Sequence, residues 1–242
     1  MKNIYSLLFL TACIISCSPK KIQQKDNSAS DSVTELLCGS NMLHPPFSSL
    51  DEAGNPVGIE VEIVTAAAQE LGYKVVWVQM DFGGLLPAVE KGELALAVST
   101  IGITEKRKKS VLFSEPYYET SIAAFMREGE NVATLDELKD KKIMADEGTT
   151  SYLAAVSQWP ENEIMDKADD EVWPELLANG EIDVFIVDAS DQPRIESQHG
   201  IKLSKVEEPL SVEFFGIAIN KANVELKEAI DKVIAWRLTE SN

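Results

Sequence analysis

The sequence predicts an α/β fold made of two similar lobes, each with a mostly parallel sheet flanked by helices. Short apolar strands alternate with amphipathic helices from residue 34 onward, an alternation typical of parallel α/β layers. One local pattern occurs twice, at residues 90–94 and 178–182: a helix end, a Gly-Glu pair and an apolar strand. At 242 residues the chain is long enough for two modest domains.

The first part of the chain, up to residue 98, contains three predicted strands and two predicted helices. Strands are predicted over residues 36–38, 75–78 and 94–98, and helices over residues 58–71 and 84–91. In the longer helix, Ile59, Ile63, Ala67 and Leu71 fall on one face, which predicts that this face is buried. The continuous apolar run at 75–78 is expected of a strand that helices cover on both sides.

The second half repeats this alternation. Thr134, with Glu137 three residues on, forms a capping box that predicts the start of a helix. Further strands are predicted over residues 143–145 and 182–187, and further helices over residues 151–157 and 173–179. Open α/β sheets bind ligands beyond the carboxyl ends of their strands. The strands that end at Val98 and Val187 therefore predict a cleft between the two lobes.

A basic start and a short apolar run at the N-terminus predict an export signal. The apolar run, residues 4–15, is too short to span a bilayer, and the segment resembles a bacterial lipoprotein signal with a lipidated cysteine. Cys17 has the better apolar length before it and is favoured, whereas Cys13 has the better lipobox. A plain secretory signal is the alternative. We expect a signal peptide over 1–16, a flexible tether over 17–33, and a lipid-anchored protein in the periplasm or on the cell surface.

Composition excludes several other classes of protein. Hydrophobic residues make up 45% and charged residues 26%, the balance of a globular protein with a full core. The net charge of −18 argues against nucleic-acid binding and is interpreted as a soluble, self-repelling surface. Cys38 lies in an apolar run and is expected to be buried, with no structural disulfide. No metal and no cofactor are expected.

Seven motifs occur in order between residues 34 and 225. They are Pro45-Pro46-Phe47, residues 54–58, Asp81-Phe82 ahead of 85–88, residues 103–107, residues 113–118, Gly148-Thr149-Thr150 and residues 180–183. With these motifs the chain resembles the polar amino-acid family of periplasmic solute-binding proteins, family 3, which serve ABC transporters. The resemblance implies a monomer without a cofactor that docks on a membrane permease.

The family's two-lobed type II periplasmic-binding-protein fold is also implied, with a two-strand hinge joining the lobes. Lobe 1 is then discontinuous, over residues 34–122 and 210–242, and lobe 2 covers residues 123–209. The hinge is expected near residues 121–123 and 209–211.

The resemblance further implies which residues bind the ligand. An amino acid presents a carboxylate and an ammonium group, so its receptor needs a fixed cation and a fixed anion. Arg107 is expected to bind the carboxylate with two parallel hydrogen bonds, helped by N–H groups of Thr149 and Thr150 at a helix start. Asp188 is expected to accept the ammonium protons. The other expected ligand-binding residues are Asn41, His44, Phe82, Ser99, Thr100 and Gly102.

Three of these residues depart from the family pattern. His44 stands where the family commonly has Tyr or Phe, and Gly102 where a Ser or Thr hydroxyl often joins the ligand shell. Asn41 occupies a position that is often acidic in receptors for cationic amino acids. The family's side-chain specificity therefore does not carry over to this chain.

The expected function is capture of a small polar amino acid between the lobes and its delivery to a transporter. One alternative is a cleft enzyme like the cyclohexadienyl dehydratases, with His44 and Glu147 as acid and base. A ligand-binding sensor subunit is the other. On the favoured interpretation no residue is catalytic, because the two ligand clamps account for the site.

Overall fold

A computed structural model of the protein describes residues 34–166 and 173–240. The predicted signal peptide, the tether and the candidate lipidation sites Cys13 and Cys17 lie outside these residues. Within the described part of the chain, no helix combines the length and apolar character needed to cross a membrane.

The described residues form fourteen strands and seven α-helices. The strands are β1 (Glu35–Ser40), β2 (Leu43–His44), β3 (Ser48–Leu50), β4 (Pro56–Val57), β5 (Lys74–Gln79), β6 (Leu96–Ala97), β7 (Leu112–Phe113), β8 (Tyr118–Arg127), β9 (Ile143–Ala145), β10 (Met165–Asp166), β11 (Val184–Asp188), β12 (Leu203–Lys205), β13 (Ser211–Phe215) and β14 (Ala218–Ile219). The helices are α1 (Ile59–Glu70), α2 (Phe82–Lys91), α3 (Glu105–Lys108), α4 (Thr150–Gln158), α5 (Trp173–Asn179), α6 (Gln192–His199) and α7 (Val224–Glu240).

The strands form two large sheets, and each sheet has its own core. The first sheet has the order β5-β1-β6-β14-β7, and the second has the order β10-β9-β11-β8-β12, with β13 also paired to β8. Buried residues between 36 and 113 and between 217 and 234 form the core around the first sheet. Those between 122 and 206 form the core around the second. The two-lobed α/β fold predicted from the sequence is therefore confirmed.

Both sheets are mixed, which corrects the expectation of mostly parallel sheets. In the first sheet β1 pairs in parallel with β5 and β6, but β14 runs antiparallel to β6 and β7. In the second sheet β9 pairs in parallel with β10 and β11, but β8 runs antiparallel to β11 and β12. The antiparallel strands are those next to the two crossings between the sheets, and sequence periodicity does not reveal strand direction.

Two paired strands join the lobes. Residues 118–122 of β8 pair antiparallel with all of β13, from Ser211 opposite Ile122 to Phe215 opposite Tyr118. We call this pair the ribbon. The predicted lobe boundaries, after residues 122 and 209, fall at its end in the second lobe, where Ile122 belongs to the second core. These boundaries stay a prediction.

Helix α1 covers one face of the first sheet, as its apolar pattern predicts. Ile63 and Ala67 are buried, and Ile59 and Leu71 pack at the edge of the same core, together with α7. Each such aliphatic side chain contributes roughly 1.5–3 kcal/mol when it is fully buried. Cys38 is buried in this core, as predicted, and burial raises the pKa of its thiol.

The start of α1 explains the glycine in the motif at residues 54–58. Gly58 has a φ of 119°, a conformation that side chains rarely adopt, and a Cβ there would overlap the carbonyl of Phe47. The amides of Ile59 and Glu60 then donate to the carbonyls of Pro46 and Phe47. This close approach fixes α1 against the small sheet β2-β3-β4.

Most of the predicted helices and strands are present, but several begin or end at a different residue from the one predicted. Helix α2 begins at Phe82 rather than Gly84, with Asp81 before it, so Phe82 is helical. The capping box of Thr134 and Glu137 is present but starts only a short 3-10 helix over Leu135–Leu138. Strand β11 includes Asp188, which places this aspartate on the sheet rather than in the loop after it.

Candidate functional site

A cavity of about 810 Å³ lies between the two lobes. It is bordered by the loop after β6, by the N-terminus of α4, and by the carboxyl end of β11. The structure brings all ten predicted ligand-binding residues together in its wall. They are Asn41, His44, Phe82, Ser99, Thr100, Gly102, Arg107, Thr149, Thr150 and Asp188.

Arg107 spans the cleft from the first lobe. Thr104 caps the short helix α3, and its hydroxyl accepts a hydrogen bond from the amide of Arg107 at 3.1 Å. The guanidinium donates from Nη1 to the carbonyl of Gly102 at 2.8 Å and from Nη2 to the carbonyl of Gly148, in the second lobe, at 3.2 Å. It lies 5.7 Å from the ring centre of Phe82, within the range of a cation–π contact.

Burial lowers the pKa of Arg107, and the nearby carboxyls of Glu213 and Asp188 oppose that shift. A guanidinium has five N–H donors, and two of its nitrogens make the hydrogen bonds just described. Arg107 is therefore a positioned cation in the wall of the cavity with donors left for a ligand.

Asp188 faces the cavity from the second lobe. Its Oδ1 is shielded from solvent and has no hydrogen-bond partner among the described residues. Burial raises the pKa of Asp188 well above its ordinary value, and the carboxyls of Glu213 and Asp191 add to this, while Arg107 opposes it. A buried carboxylate oxygen without a donor costs free energy, so this position favours a ligand that brings N–H groups.

The start of α4 offers backbone rather than side-chain donors. The hydroxyl of Thr149 accepts from the amide of Tyr152 at 3.1 Å and donates to the carbonyl of Asp146 at 2.6 Å. The hydroxyl of Thr150 donates to Glu213 Oε1 at 2.7 Å. The amide of Thr149 also has a protein partner, because it donates to the carbonyl of Asp146 at 3.2 Å. The helix start therefore presents the N–H groups that follow Thr149 and its positive dipole end to the cavity.

Ser99 and Thr100 adopt an unusual backbone conformation. Their φ values are 145° and 47°, in the region that favours glycine. The carboxylate of Glu60 holds them there, because its Oε1 accepts from the amides of Ser99 at 3.2 Å and Thr100 at 2.9 Å. Oε1 also accepts from the hydroxyl of Tyr117 at 2.5 Å, Oε2 accepts from that of Ser48 at 2.6 Å, and Glu60 itself is fully buried. Strain in this loop, which borders the cavity, is thus balanced by one carboxylate.

Asn41 and His44 interact with each other at the edge of the cavity. Asn41 Nδ2 and His44 Nε2 lie 3.2 Å apart, and Asn41 Oδ1 accepts from the hydroxyl of Ser99 at 2.9 Å. His44 Nδ1 lies 3.5 Å from Asp191 Oδ1 across the cleft, and Arg194 Nε donates to the same oxygen at 3.0 Å. Burial alone raises the pKa of Asp191, but His44 and Arg194 outweigh it and lower that pKa to about 2.

Sequence reasoning missed three acidic residues around the site: Glu60, Asp191 and Glu213. Glu60 lies one α-helical turn before Val64 and two turns before Ala67, so it falls on the buried face of α1, and this spacing could have identified it. Glu213 stands between Val212 and Phe214, and an alternating strand would turn it outward. The structure buries Glu213 and exposes its two apolar neighbours instead.

The cavity also reaches into the second lobe, beyond the predicted residues. Trp173 and Phe185 stack with ring centres 4.2 Å apart and an angle of 7°, and both rings border it. His199 contacts Trp173 edge-on at 5.9 Å. The sequence predicts the helix and strand that carry Trp173 and Phe185 but not that they meet.

Residues 36–241 match the family described as bacterial extracellular solute-binding proteins, family 3. The L-cystine-binding protein TcyJ of Escherichia coli strain K12 is 28% identical over 204 residues, which cover 83% of this chain and 76% of that protein. Among solved structures, an ancestral arginine-binding protein bound to glutamine is 31% identical, with a TM-score of 0.74, covering 86% of this chain and 93% of that one. The ancestral amino acid-binding protein AncCDT-1, a precursor of cyclohexadienyl dehydratase, is 25% identical, with a TM-score of 0.73, covering 86% and 91%.

Proposed function

Because this chain belongs to the bacterial extracellular solute-binding proteins of family 3, we propose that it captures a small polar amino acid between its two lobes and delivers it to an ABC transporter permease. The similarity to amino-acid-binding proteins supports the ligand class.

One observation carries the proposal: a buried anion and a positioned cation border the same cavity. Asp188 Oδ1 has no partner among the described residues, and the ammonium of an amino acid would supply the missing donors. Arg107 would bind the carboxylate of the same ligand with paired hydrogen bonds. An α-amino acid is the smallest common metabolite that meets both demands at once.

The remaining predicted residues would complete the ligand shell. The N–H group of Thr150 would add a donor to the carboxylate, whereas that of Thr149 donates to the carbonyl of Asp146, and Phe82 would form an apolar wall. Ser99 and Thr100 would offer backbone groups, and Gly102 would offer a backbone N–H. Asn41 and His44 would border the ligand's side chain.

Closure of the lobes would follow from where these groups lie. Arg107 is held in the first lobe and Asp188 in the second, so a ligand bound to both interacts most strongly with the closed state. Such differential affinity shifts the population towards closure, with the ribbon as the hinge. The closed monomer would then be the form that docks on the permease.

Export and lipid anchoring through Cys17, or through Cys13, would keep the receptor near its transporter in the periplasm or at the cell surface. Residues 17–33 would serve as the tether between the anchor and the lobes.

Thermal unfolding with each common amino acid at millimolar concentration tests this function. The protein is first unfolded and refolded to remove carried-over ligand. At one hundred times Kd a ligand stabilises by about 2.7 kcal/mol, and for a protein of this size the melting temperature rises by roughly 5–10 °C. We expect such a rise with one or a few amino acids.

The variants Arg107→Ala and Asp188→Ala are expected to abolish this rise while remaining folded. Lys74→Ala, an exposed change at the edge of the first sheet, serves as the control and should keep it. A folded protein whose melting temperature responds to no amino acid would contradict the proposal. Conversion of a prephenate-like substrate would instead support an enzyme that uses His44 and Glu147, which both border the cavity.

A further inference from the structure

His44 is held firmly by the first lobe at the edge of the cleft. It lies in β2, where it pairs with Ser48 of β3, and its carbonyl accepts from the amide of Phe47 at 2.7 Å. The ring of Phe47 is buried, and only 18% of the His44 side chain is exposed. The position of the imidazole is therefore determined by the packing of the first lobe.

The hydrogen bonds of Asn41 determine which nitrogen of His44 carries the proton. The side-chain oxygen of Asn41 accepts from the hydroxyl of Ser99 at 2.9 Å and from the amide of Leu43 at 3.2 Å. The amide nitrogen Nδ2 of Asn41 therefore faces His44 Nε2, 3.2 Å away, and this ring nitrogen must be the acceptor. A neutral imidazole in this place carries its proton on Nδ1.

His44 Nδ1 faces a carboxylate of the second lobe across the cleft. It lies 3.5 Å from Asp191 Oδ1, slightly more than the length of a normal N–H···O hydrogen bond. The nitrogen is shielded from solvent and has no hydrogen-bond partner within the described part of the chain. Because a buried N–H without an acceptor costs free energy, a small approach of the two lobes that completes this hydrogen bond is favourable.

Asp191 is held just as firmly by the second lobe. It lies in a short 3-10 helix directly after β11, and its Oδ1 accepts from Arg194 Nε at 3.0 Å. The amide of its neighbour Ser190 donates to the hydroxyl of Thr120 in the ribbon at 3.3 Å. Burial raises the pKa of Asp191, but His44 and Arg194 lower it to about 2, so the side chain is a carboxylate at neutral pH. A fixed donor of one lobe therefore faces a fixed, charged acceptor of the other.

We propose that His44 and Asp191 form a latch between the lobes, which keeps part of the ligand-free protein closed through contacts within the protein. The latch does not include Arg107 or Asp188, the two groups proposed to hold the ligand's carboxylate and ammonium. It therefore adds the same free energy to closure for every ligand of the cleft. The latch sets the closed fraction and the overall affinity, and it leaves the preference between ligands unchanged. The inference rests on the proposed function, because it concerns closure of that same site.

Small-angle X-ray scattering of the full chain tests the latch without a ligand. The protein is first unfolded and refolded to remove carried-over ligand. Opening of the lobes about the ribbon increases the radius of gyration. We expect the ligand-free variant His44→Phe to have a larger radius of gyration than the wild type, because Phe keeps an aromatic ring but has no donor for Asp191.

Calorimetric titration measures the effect of the latch on binding. His44→Phe should bind each amino acid that the wild type binds roughly tenfold more weakly, as for the loss of one hydrogen bond to a charged group. The factor should be the same for every ligand, because the latch acts on closure. Factors that differ between ligands would assign His44 to the ligand's side chain instead and would overturn the latch.

A double-mutant cycle tests whether the two residues act together. Asp191→Asn keeps the shape of the side chain and an acceptor for Arg194 but removes the charge, so it should also weaken binding. The double variant His44→Phe/Asp191→Asn should bind no more weakly than His44→Phe alone, because both changes break the same contact. Glu181→Gln, an exposed change in the second lobe that removes the same charge, should alter neither affinity nor radius of gyration. Thermal unfolding checks that each variant is folded.

Two negative results can be told apart. A folded wild-type protein that binds no amino acid overturns the proposed function, and the scattering of the ligand-free proteins still tests the latch. Equal radii of gyration in the ligand-free wild type and His44→Phe overturn the latch and leave the proposed function standing. The same holds if the losses of affinity in His44→Phe and Asp191→Asn add up in the double variant.

Discussion

Three carboxyl groups lie at or behind the wall of the cavity, and their hydrogen-bond partners distinguish them. Glu60 accepts four hydrogen bonds from protein donors. Glu213 accepts one, from Thr150, while Asp188 Oδ1 accepts none within the described residues. A satisfied carboxylate fixes structure, and an unsatisfied one is available to a ligand. Glu60 therefore belongs to the framework of the site, Asp188 to its proposed binding surface, and Glu213 lies between these two extremes.

The variant Glu60→Ala tests the framework role. It leaves the buried amides of Ser99 and Thr100 without their acceptor, so the free energy of unfolding should fall by roughly 3–5 kcal/mol. Because both residues border the cavity in a strained conformation, amino-acid affinity should fall as well. Urea unfolding and calorimetric titration measure the two effects.

Glu62→Ala is the matched control on the same helix, since Glu62 is exposed and pairs with Arg237 at the surface. Glu62→Ala should change neither the free energy of unfolding nor the amino-acid affinity appreciably. Equal losses of stability in the two variants would contradict the role assigned to Glu60.

At this scale the sequence predicts the residues that line the cavity better than those behind them. All ten predicted residues border the cavity, and four of them, Phe82, Arg107, Thr149 and Thr150, lie within the family motifs. Glu60 and Glu213 touch these residues from behind, and their positions depend on tertiary packing. In β13 the alternation of Val212, Glu213 and Phe214 predicts the opposite orientation from the one observed, because the ribbon turns its apolar side outward.

The helices and strands follow the apolar pattern wherever that pattern is long. Helix α1 matches its predicted face, and α5 matches its predicted bounds, because continuous apolar spacing specifies a buried helix. Short elements are less well predicted. Strand β6 has two residues rather than the five expected, since the chain leaves the sheet early to form the loop at Ser99.

Helix α7 provides a test of element packing. Ile230 is fully buried in the first core, so Ile230→Ala should lower the free energy of unfolding by about 2–5 kcal/mol. Amino-acid affinity of the folded protein should stay unchanged, since Ile230 does not border the cavity. Urea unfolding and titration provide the two values.

Lys232→Ala on the same helix removes only an exposed ion pair with Glu70. Its unfolding midpoint should stay close to that of the wild type, as is usual for surface pairs. If Ile230→Ala were equally mild, α7 would not stabilise the first lobe in solution.

The two lobes touch through polar contacts across the cleft. Arg107 reaches Gly148, and His44 approaches Asp191. Contacts of this kind are weaker than those of the two apolar cores, so we expect any opening of the molecule to occur at the cleft. The sequence predicts two lobes through its repeated pattern, but these contacts depend on how the ribbon sets one lobe against the other.

The stability that the Asp191 carboxylate contributes through His44 and Arg194 should depend on pH. Its pKa is lowered from 3.8 to about 2 in the folded protein, so its stabilising contribution is present above about pH 4 and lost as the pH falls towards 2. The full contribution is roughly 2 kcal/mol. The stability difference between the wild type and Asp191→Asn should therefore shrink over this pH range, as measured by urea unfolding at each pH. If the difference in unfolding free energy between the two proteins stayed constant from pH 5 to pH 2.5, the Asp191 carboxylate would not stabilise the fold through His44 and Arg194.

The position of β14 determines the order in which the protein can be completed during synthesis. The second core takes its buried residues from 122–206, and with Leu210 and β13 added it is complete before β14 is synthesised. The first sheet cannot be finished then, because β14 lies in its middle, between β6 and β7, and belongs to residues 218–219. The lobe that begins first along the chain is thus the one that is completed last, and its unpaired strand edges stay open until the C-terminal residues arrive.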